Sequence, residues 1–310
     1  MTLFTRRAAL TTTLFAAGTG LLAACGSSGS SGKTGASSSS TASGSPSGAM
    51  TGSGTVNVLY AGSLVDLMEK QIGPAFKTKT GYTFTGFSAG STALAAQIKG
   101  KVRKGDVFVS ASPDADTLLM GSANGDWVSW YLTFATAPLV LGYSTKSTFA
   151  EDIRTKPWYD VITMSGFRVG TTDPKTDPKG KLVVKALTDA GKEHPALLKI
   201  IKDTSTIFPE ETLVGDLQSG QLDAGFFYSS EAKAANIPTV PLTGQDLKAS
   251  YTVSVLKGAP NESGAEAFVQ YLLGSEGQAV LTSDGFSLVT PPKTTGTGVP
   301  SSIAGLLSGA

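Results

Sequence analysis

Three short Gly/Ser/Thr loops carry the residues of this chain best suited to chemistry. Val56-Asn57-Val58-Leu59-Tyr60 runs into Ala61-Gly62-Ser63-Leu64, and Tyr82 to Phe87 runs into Ser88-Ala89-Gly90-Ser91-Thr92. Farther on, Phe167-Arg168-Val169-Gly170 runs into Thr171-Thr172-Asp173-Pro174. Each loop joins a strand-like run to a helix-like one. A helix N-terminus presents unpaired backbone N–H groups and about half a positive charge, which suits an anion. Ser and Thr there add hydroxyl donors. Several such ends converging on one point would hold a small oxyanion with neutral donors alone. Ser63 and Ser91 are the leading candidates. N-capping is the commonest job of a serine before a helix, and it accounts for the same two residues.

Other chemistries fit less well. Gly86-Phe87-Ser88-Ala89-Gly90 matches the Gly-x-Ser-x-Gly nucleophile elbow, which needs a histidine later in the chain. Only His194 is available, and it lies in the polar turn Gly191-Lys192-Glu193-His194-Pro195 rather than in a loop after a strand. The elbow also comes too early, after the second strand. One histidine and one cysteine cannot make a zinc site. A surface adhesion or signalling module would leave the Gly/Ser loops unexplained. No enzyme and no cofactor is expected. The cluster Lys99, Lys101, Arg103 and Lys104 reads as solvated surface.

The first residues look like an address. Arg6-Arg7 precedes a short apolar run broken by Thr and Gly, and Leu22-Ala23-Ala24-Cys25 closes it. That run is too short and polar for a membrane span of about 20 residues. Residues 1–24 are read as a lipoprotein signal peptide, with Cys25 the lipidated N-terminus after cleavage. Thr5-Arg6-Arg7-Ala8-Ala9-Leu10 loosely matches a twin-arginine signal. Residues 25–54, almost all Gly, Ser, Thr, Ala and Pro, read as a flexible tether. The expected location is extracytoplasmic, held to the cell membrane by lipid. Cys25 is the chain's only cysteine, so no intramolecular disulfide forms and a core must hold the fold. Loss of residues 1–24 takes the net charge from +1 to −1, a balance that gives no reason to expect nucleic acid.

From Thr55 onward, strand-like and helix-like runs alternate. Strands are expected at 56–60, 82–87, 106–110, 138–143, 168–170, 224–228, 239–241 and 250–256. Helices are expected at 64–80, 92–99, 113–122, 150–153, 178–190, 195–204, 211–219, 262–273 and 275–283. The alternation predicts α/β layers with mostly parallel sheets and ligands beyond the strand ends. Two lobes are favoured over one large sheet. The run Phe134 to Tyr143 leaves the first lobe and Ser250 to Leu256 returns to it. The first lobe would comprise 55–136 and 246–310, and the second 137–245.

At this point the chain resembles the molybdate/tungstate-binding proteins of bacterial and archaeal ABC importers. The resemblance runs from about Val56 to about Leu288. It rests on Leu59-Tyr60-Ala61-Gly62-Ser63-Leu64, Gly90-Ser91, Asp106-Val107-Phe108-Val109-Ser110-Ala111 and Phe134-Ala135-Thr136. It continues through Tyr143-Ser144-Thr145-Lys146-Ser147, Trp158-Tyr159, Thr172 to Gly180, Leu217 to Tyr228 and Leu256 to Asn261. The archaeal tungstate branch is the nearest in pattern. The resemblance implies a type II periplasmic-binding fold, two α/β lobes joined by two crossing strands. It implies a monomer serving an ABC permease and its ATPase, with molybdate or tungstate as ligand. It implies that Ser63 and a serine of the second loop, Ser91 or else Ser88, donate to the oxyanion. From the second lobe it implies backbone N–H at or near Asp177, with Asp177 nearby, and the Tyr228 hydroxyl. Asp173 and Asp177 before prolines also read as turns or caps, and Tyr228 as a half-buried sheet aromatic. The archaeal branch has a glutamate before the returning strand and adds two carboxylates to the metal. Here Gln245 stands at that place, and Lys181 replaces the usual Tyr after the Asp-Pro-x-Gly turn. A tetrahedral anion held by hydrogen bonds is therefore expected rather than six-fold coordination. Another tetrahedral oxyanion such as sulfate presents the same charge and acceptors.

Overall fold

The computed structural model describes residues 50–307. The expected signal peptide, Cys25 and the tether up to residue 49 lie outside the described residues. The end of the tether is not free, because Met50 packs on the core and Gly52 N–H donates to the Thr80 carbonyl at 2.9 Å. Among the described residues, no helix is long and apolar enough to cross a membrane.

β1 (Thr55–Ala61) is apolar on both faces and nearly all buried, as a strand covered by helices on each side should be. It enters a 3-10 turn, Gly62–Leu64, then α1 (Val65–Leu67), a π segment Met68–Ile72, and α2 (Gly73–Thr80). Pro74 lies inside this continuous helical run, just where the π segment gives way to α2, and Gly81 ends the helix at φ +84°. β2 (Thr83–Ala89) runs parallel to β1, and α3 (Ser91–Lys99) follows after Gly90 alone. β3 (Val107–Ser110) is parallel to β1 on its other edge and leads to α4 (Pro113–Thr117).

β4 (Trp130–Tyr143) is the spine of the molecule, roughly 46 Å long at strand rise. Its first half pairs with β8 (Lys248–Val255), and its second half, Leu139–Tyr143, pairs with β6 (Ala224–Tyr228). Between them come α5 (Ala150–Thr155), α6 (Trp158–Val161), β5 (Val169–Gly170), α7 (Pro178–Ala190), α8 (Leu197–Lys202) and α9 (Glu210–Gln218). After β6 lie α10 (Ser229–Ala234) and β7 (Thr239–Pro241), the latter on β4. β8 returns to pair with β3, and α11 (Glu262–Leu273), α12 (Ser275–Ser283), β9 (Ser287–Gly296) and α13 (Ser301–Ala304) close the chain. The hydrogen-bonded order is β2-β1-β3-β8-β4-β6-β5, with β7 and β9 attached to β4.

The expectation of mostly parallel sheets is corrected here. β1–β2, β1–β3 and β5–β6 are parallel, and the remaining pairings, β3–β8, β4–β6, β4–β7, β4–β8 and β4–β9, are antiparallel. Four of the five antiparallel pairings involve β4, which β6, β7, β8 and β9 all meet running the opposite way. β9 lies outside the expected strands, and it contains Pro291 and Pro292, residues that cannot donate to a ladder. They fall where its pairing to β4 breaks, between Leu288↔Ala135 and Lys293↔Thr133, so no ladder bond is lost to them.

Two buried carboxylates brace the β1–β3–β8 region. Asp106 accepts from Asn57 N and Nδ2 at 2.7 and 2.9 Å and from Asn261 N at 2.6 Å, while the Asn261 side chain caps α11. Asp116 accepts from the Thr252 hydroxyl and from Ser254 Oγ at 3.4 Å, tying α4 to the returning strand. Burial pushes its carboxyl up to about 7, only partly offset by those two hydroxyls.

Candidate functional site

Ser63 lies in the 3-10 turn that follows β1, buried, with its Oγ 3.5 Å from the Tyr251 hydroxyl. Ser88 is not in a loop. β2 extends to Ala89, and Ser88 is a half-buried strand residue opposite Tyr60. Ser91 opens α3, and its Oγ accepts from Ala111 N at 3.1 Å, which fixes the hydroxyl and leaves its proton able to donate. Asp177 caps α7, with Oδ1 accepting from Lys179 N at 2.9 Å and Oδ2 buried without a partner. Tyr228 ends β6, fully buried, and its hydroxyl also has no partner.

These elements meet. Ala93 N–H in the first turn of α3 donates to the Thr176 carbonyl at 3.0 Å. A Cβ on Gly90 would lie 2.6 Å from that carbonyl oxygen and 3.1 Å from Asp177 Cβ. A Cβ on Gly62 would lie 2.7 Å from Glu210 Oε2. Glycine at both positions is what lets the first two loops close onto the start of α7 and of α9. The Tyr251 ring lies edge-on to that of Tyr228, with centroids 6.0 Å apart, linking Ser63 to the far side. Two cavities flank the contact. One, of about 380 Å³, is lined by Gly62, Ser63, Glu210 and Glu231 among others, and the other, of about 350 Å³, by Gly90, Thr172, Asp177 and Glu210.

Beside Asp177 the fold gathers three charged side chains that the sequence does not point to, Lys179, Glu210 and Glu231. Lys179 is fully buried, and its Nζ donates to both Glu231 carboxylate oxygens at 2.9 Å. It sits 3.4 Å from Glu210 Oε1 and over the rings of Phe227 and Tyr228. Burial alone would lower its ammonium, but the carboxylates of Glu231, Glu210 and Asp177 outweigh that and raise it. The carboxyls of Asp177, Glu210 and Glu231 are all pushed up, by burial first. Lys179 works against the rise in each case, and neighbouring carboxylates add to it. The Tyr228 hydroxyl is raised well above its ordinary value by burial, then by Asp177.

Among the described residues, every buried side-chain oxygen or nitrogen without a hydrogen-bond partner falls in this one place. They are Thr172 Oγ1, Asp177 Oδ2, both Glu210 carboxyl oxygens, Tyr228 OH and Ser230 Oγ. Buried polar groups are ordinarily paired, so such a gathering marks a site built for a polar guest. It offers three hydroxyl donors beside two carboxyl groups. Among the described residues, no three His, Cys, Asp or Glu side chains are grouped to hold a cation. Gln245 sits in the turn between β7 and β8, where its N–H bonds Leu242, and Lys181 is exposed. The second carboxyl beside Asp177 is therefore Glu210, at the head of α9. His194 stacks on Tyr159 with ring centroids 3.9 Å apart, and no hydrogen bond joins it to Ser88.

A mixed sheet crossed by β4 and rejoined by β8, with a polar site where the helix ends meet, is the architecture of a solute-binding protein. The chain belongs to the bacterial extracellular solute-binding protein family, which matches residues 56–287. It is 26% identical over 274 residues to the molybdate/tungstate-binding protein WtpA of Thermococcus kodakarensis, covering 71% of this chain and 76% of that one. The Azotobacter vinelandii periplasmic molybdate-binding protein superposes with a TM-score of 0.61 at 22% identity, covering 76% of this chain and 99% of that one. The sulfate-binding protein SubI of Mycobacterium tuberculosis does so with a TM-score of 0.56 at 16% identity, covering 76% and 88%. The fold is thus the type II periplasmic-binding fold. Family and fold are those of extracytoplasmic transport proteins rather than of enzymes.

Proposed function

We propose that this chain captures molybdate or tungstate between two lobes, residues 55–136 with 246–310 and residues 137–245, and delivers the anion to an ABC permease and its ATPase. In this reading the protein works as a monomer held to the membrane by lipidated Cys25 and the 25–54 tether, with no cofactor and no nucleic-acid partner. Ser63, Ser91, Tyr228 and the turn at Asp177 bind the anion, with Ser88 as the alternative to Ser91. The observation that carries the reading is the gathering of buried hydroxyls, those of Thr172 and Tyr228 beside Asp177 and that of Ser230 beside Tyr251, which Ser63 also faces. Hydrogen bonds to an ionised acceptor are shorter and stronger than neutral ones, and burying a dianion demands many of them. Neutral donors permit release when the lobes part. Relatives that bind molybdate or tungstate share the sequence pattern along most of the folded chain. Sulfate carries the same charge and differs mainly in size, so cleft dimensions must discriminate.

Isothermal titration with molybdate, tungstate, sulfate and phosphate tests this. Tight one-to-one binding of molybdate or tungstate is expected, with sulfate and phosphate silent. Ser63→Ala and Ser91→Ala should each weaken it by roughly ten-fold or more, as loss of a hydrogen bond to a charged ligand does. Silence with all four anions overturns the reading. Full affinity in both serine variants overturns the residue assignment.

A further inference from the structure

The site holds three buried carboxyl groups, Asp177, Glu210 and Glu231, against one buried ammonium, that of Lys179. With Lys179 paired to Glu231, two buried carboxyl groups remain beside the place proposed for a dianion, Asp177 and Glu210. They differ in what holds their charge. Asp177 caps α7 and accepts from Lys179 N–H, a contact that favours the ionised form. Glu210 accepts nothing. Both its oxygens are buried and unpartnered, and Lys179 Nζ, 3.4 Å away, is aligned on Glu231 instead.

Asp177 and Lys179 face Glu210 from α7, Glu231 from α10, Tyr228 from the end of β6 and Tyr251 from β8. Glu211 is its neighbour on α9, and Gly62 packs against its carboxyl from the turn after β1. Asp66 and Lys70 line the same cavity and are paired to each other at 2.9 Å. The N-terminus of α9 favours a negative charge by about 0.3–1 kcal/mol. Burying a carboxylate without a hydrogen bond costs several kcal/mol, so the neutral form wins. As a neutral acid, Glu210 also gains an O–H donor, which the ionised form lacks.

Resting on the oxyanion reading, we propose that Glu210 determines the affinity of the site by carrying a proton when the anion is held, so that capture of a dianion takes up one proton. The lobe that brings Ser63 and Gly62 onto α9 desolvates Glu210 and the anion together, and both cannot be charged there without a cation to share. Affinity for the dianion therefore rises as pH falls, by up to about ten-fold per pH unit wherever Glu210 is ionised in the free protein.

The test is titration calorimetry of the purified protein with molybdate, between about pH 6 and pH 9, in buffers of different ionisation enthalpy. The wild type should show a buffer-dependent enthalpy corresponding to uptake approaching one proton per anion. Glu210→Gln, a neutral isostere, should bind with the affinity the wild type shows at low pH, with no proton uptake and little pH dependence. Its melting temperature should match or exceed that of the wild type, since a costly buried acid is gone. Wild-type binding that is flat with pH and independent of buffer overturns the inference and leaves the oxyanion reading intact. The same holds if Glu210→Gln keeps the proton uptake. Absence of binding in both proteins at every pH overturns the oxyanion reading and the inference with it. If Glu210→Gln failed to fold, Glu210→Ala would take its place, with loss of the proton uptake expected and its persistence overturning the inference.

Discussion

Replacing Lys179 by Met removes the only cation from a group of three buried carboxyls, and its consequences follow from distances. Lys179 Nζ lies 2.9 Å from both Glu231 oxygens and 3.4 Å from Glu210 Oε1. At an effective dielectric near 20, a 2.9 Å pair attracts by about 6 kcal/mol, most of which repays desolvation. Breaking one partner of a buried pair costs about 3–5 kcal/mol net, because the other charge is stranded. For a chain of this size that lowers the melting temperature by roughly 10 °C. The loss should depend on pH, with a definite sign. Without Lys179, the folded-state values of Glu231 and Glu210, already raised by burial, rise further above their unfolded values. The native variant then binds more protons than its unfolded chain, so its stability increases as pH falls. Urea unfolding should therefore show a larger deficit at about pH 8 than at about pH 5. Adding Glu231→Gln to Lys179→Met should recover part of it by removing the stranded charge. A deficit under about 1 kcal/mol that is the same at both pH values, with no recovery in the double variant, would refute the account.

Asp116→Asn should flatten the pH dependence of stability. Asp116 rises from 3.8 unfolded to about 7 in the fold, so the wild type loses stability as pH climbs between those values, by about 4 kcal/mol at most. Urea midpoints measured across that window would show the slope in the wild type and its absence in the variant. Gly90→Ala puts a methyl 2.6 Å from the Thr176 carbonyl while leaving α3 itself undisturbed, since Gly90 has an ordinary negative φ. Anion affinity should fall by about ten-fold or more in calorimetry, and the melting temperature should drop by a few degrees, the cost of overpacking a tight contact at about 1–3 kcal/mol. Tyr228→Phe deletes an unpartnered hydroxyl, so the fold should be as stable or more so, while anion affinity drops by about 10- to 100-fold in calorimetry.

Much of the local structure is legible without coordinates. Pro178–Ala190, Glu262–Leu273 and Ser275–Ser283 are helices with the bounds their caps and periodicity suggest, because Asp177, Pro178 and Asn261 act on their own neighbours. The β6 run Ala224–Tyr228 follows from a continuous apolar run bounded by turns, whereas β4 starts at Trp130, well before the expected 138–143, and β8 mixes Ser and Thr with its apolar residues. Loop edges were harder. The second loop shrinks to Gly90, because pairing with β1 as far as Ala61↔Ala89 holds Ser88 in a strand that its own propensity does not demand.

The sequence by itself determined the capped helices, the strand–helix order, the Gly/Ser loop ends and the family pattern, all of which rest on interactions within a few residues. Only the tertiary structure decided that Lys179 is buried, since a lysine in the first turn of a helix is ordinarily solvated and becomes internal only when Glu231, 52 positions later, supplies its partner. It alone decided that Glu210 rather than Gln245 stands beside Asp177, that Thr172 and Tyr228 flank Asp177, and that Ser230 lies beside Tyr251. Their convergence depends on β4 and β8 carrying distant segments to the same end of the sheet. No local signal encodes that, because each residue's neighbours in sequence are satisfied without it.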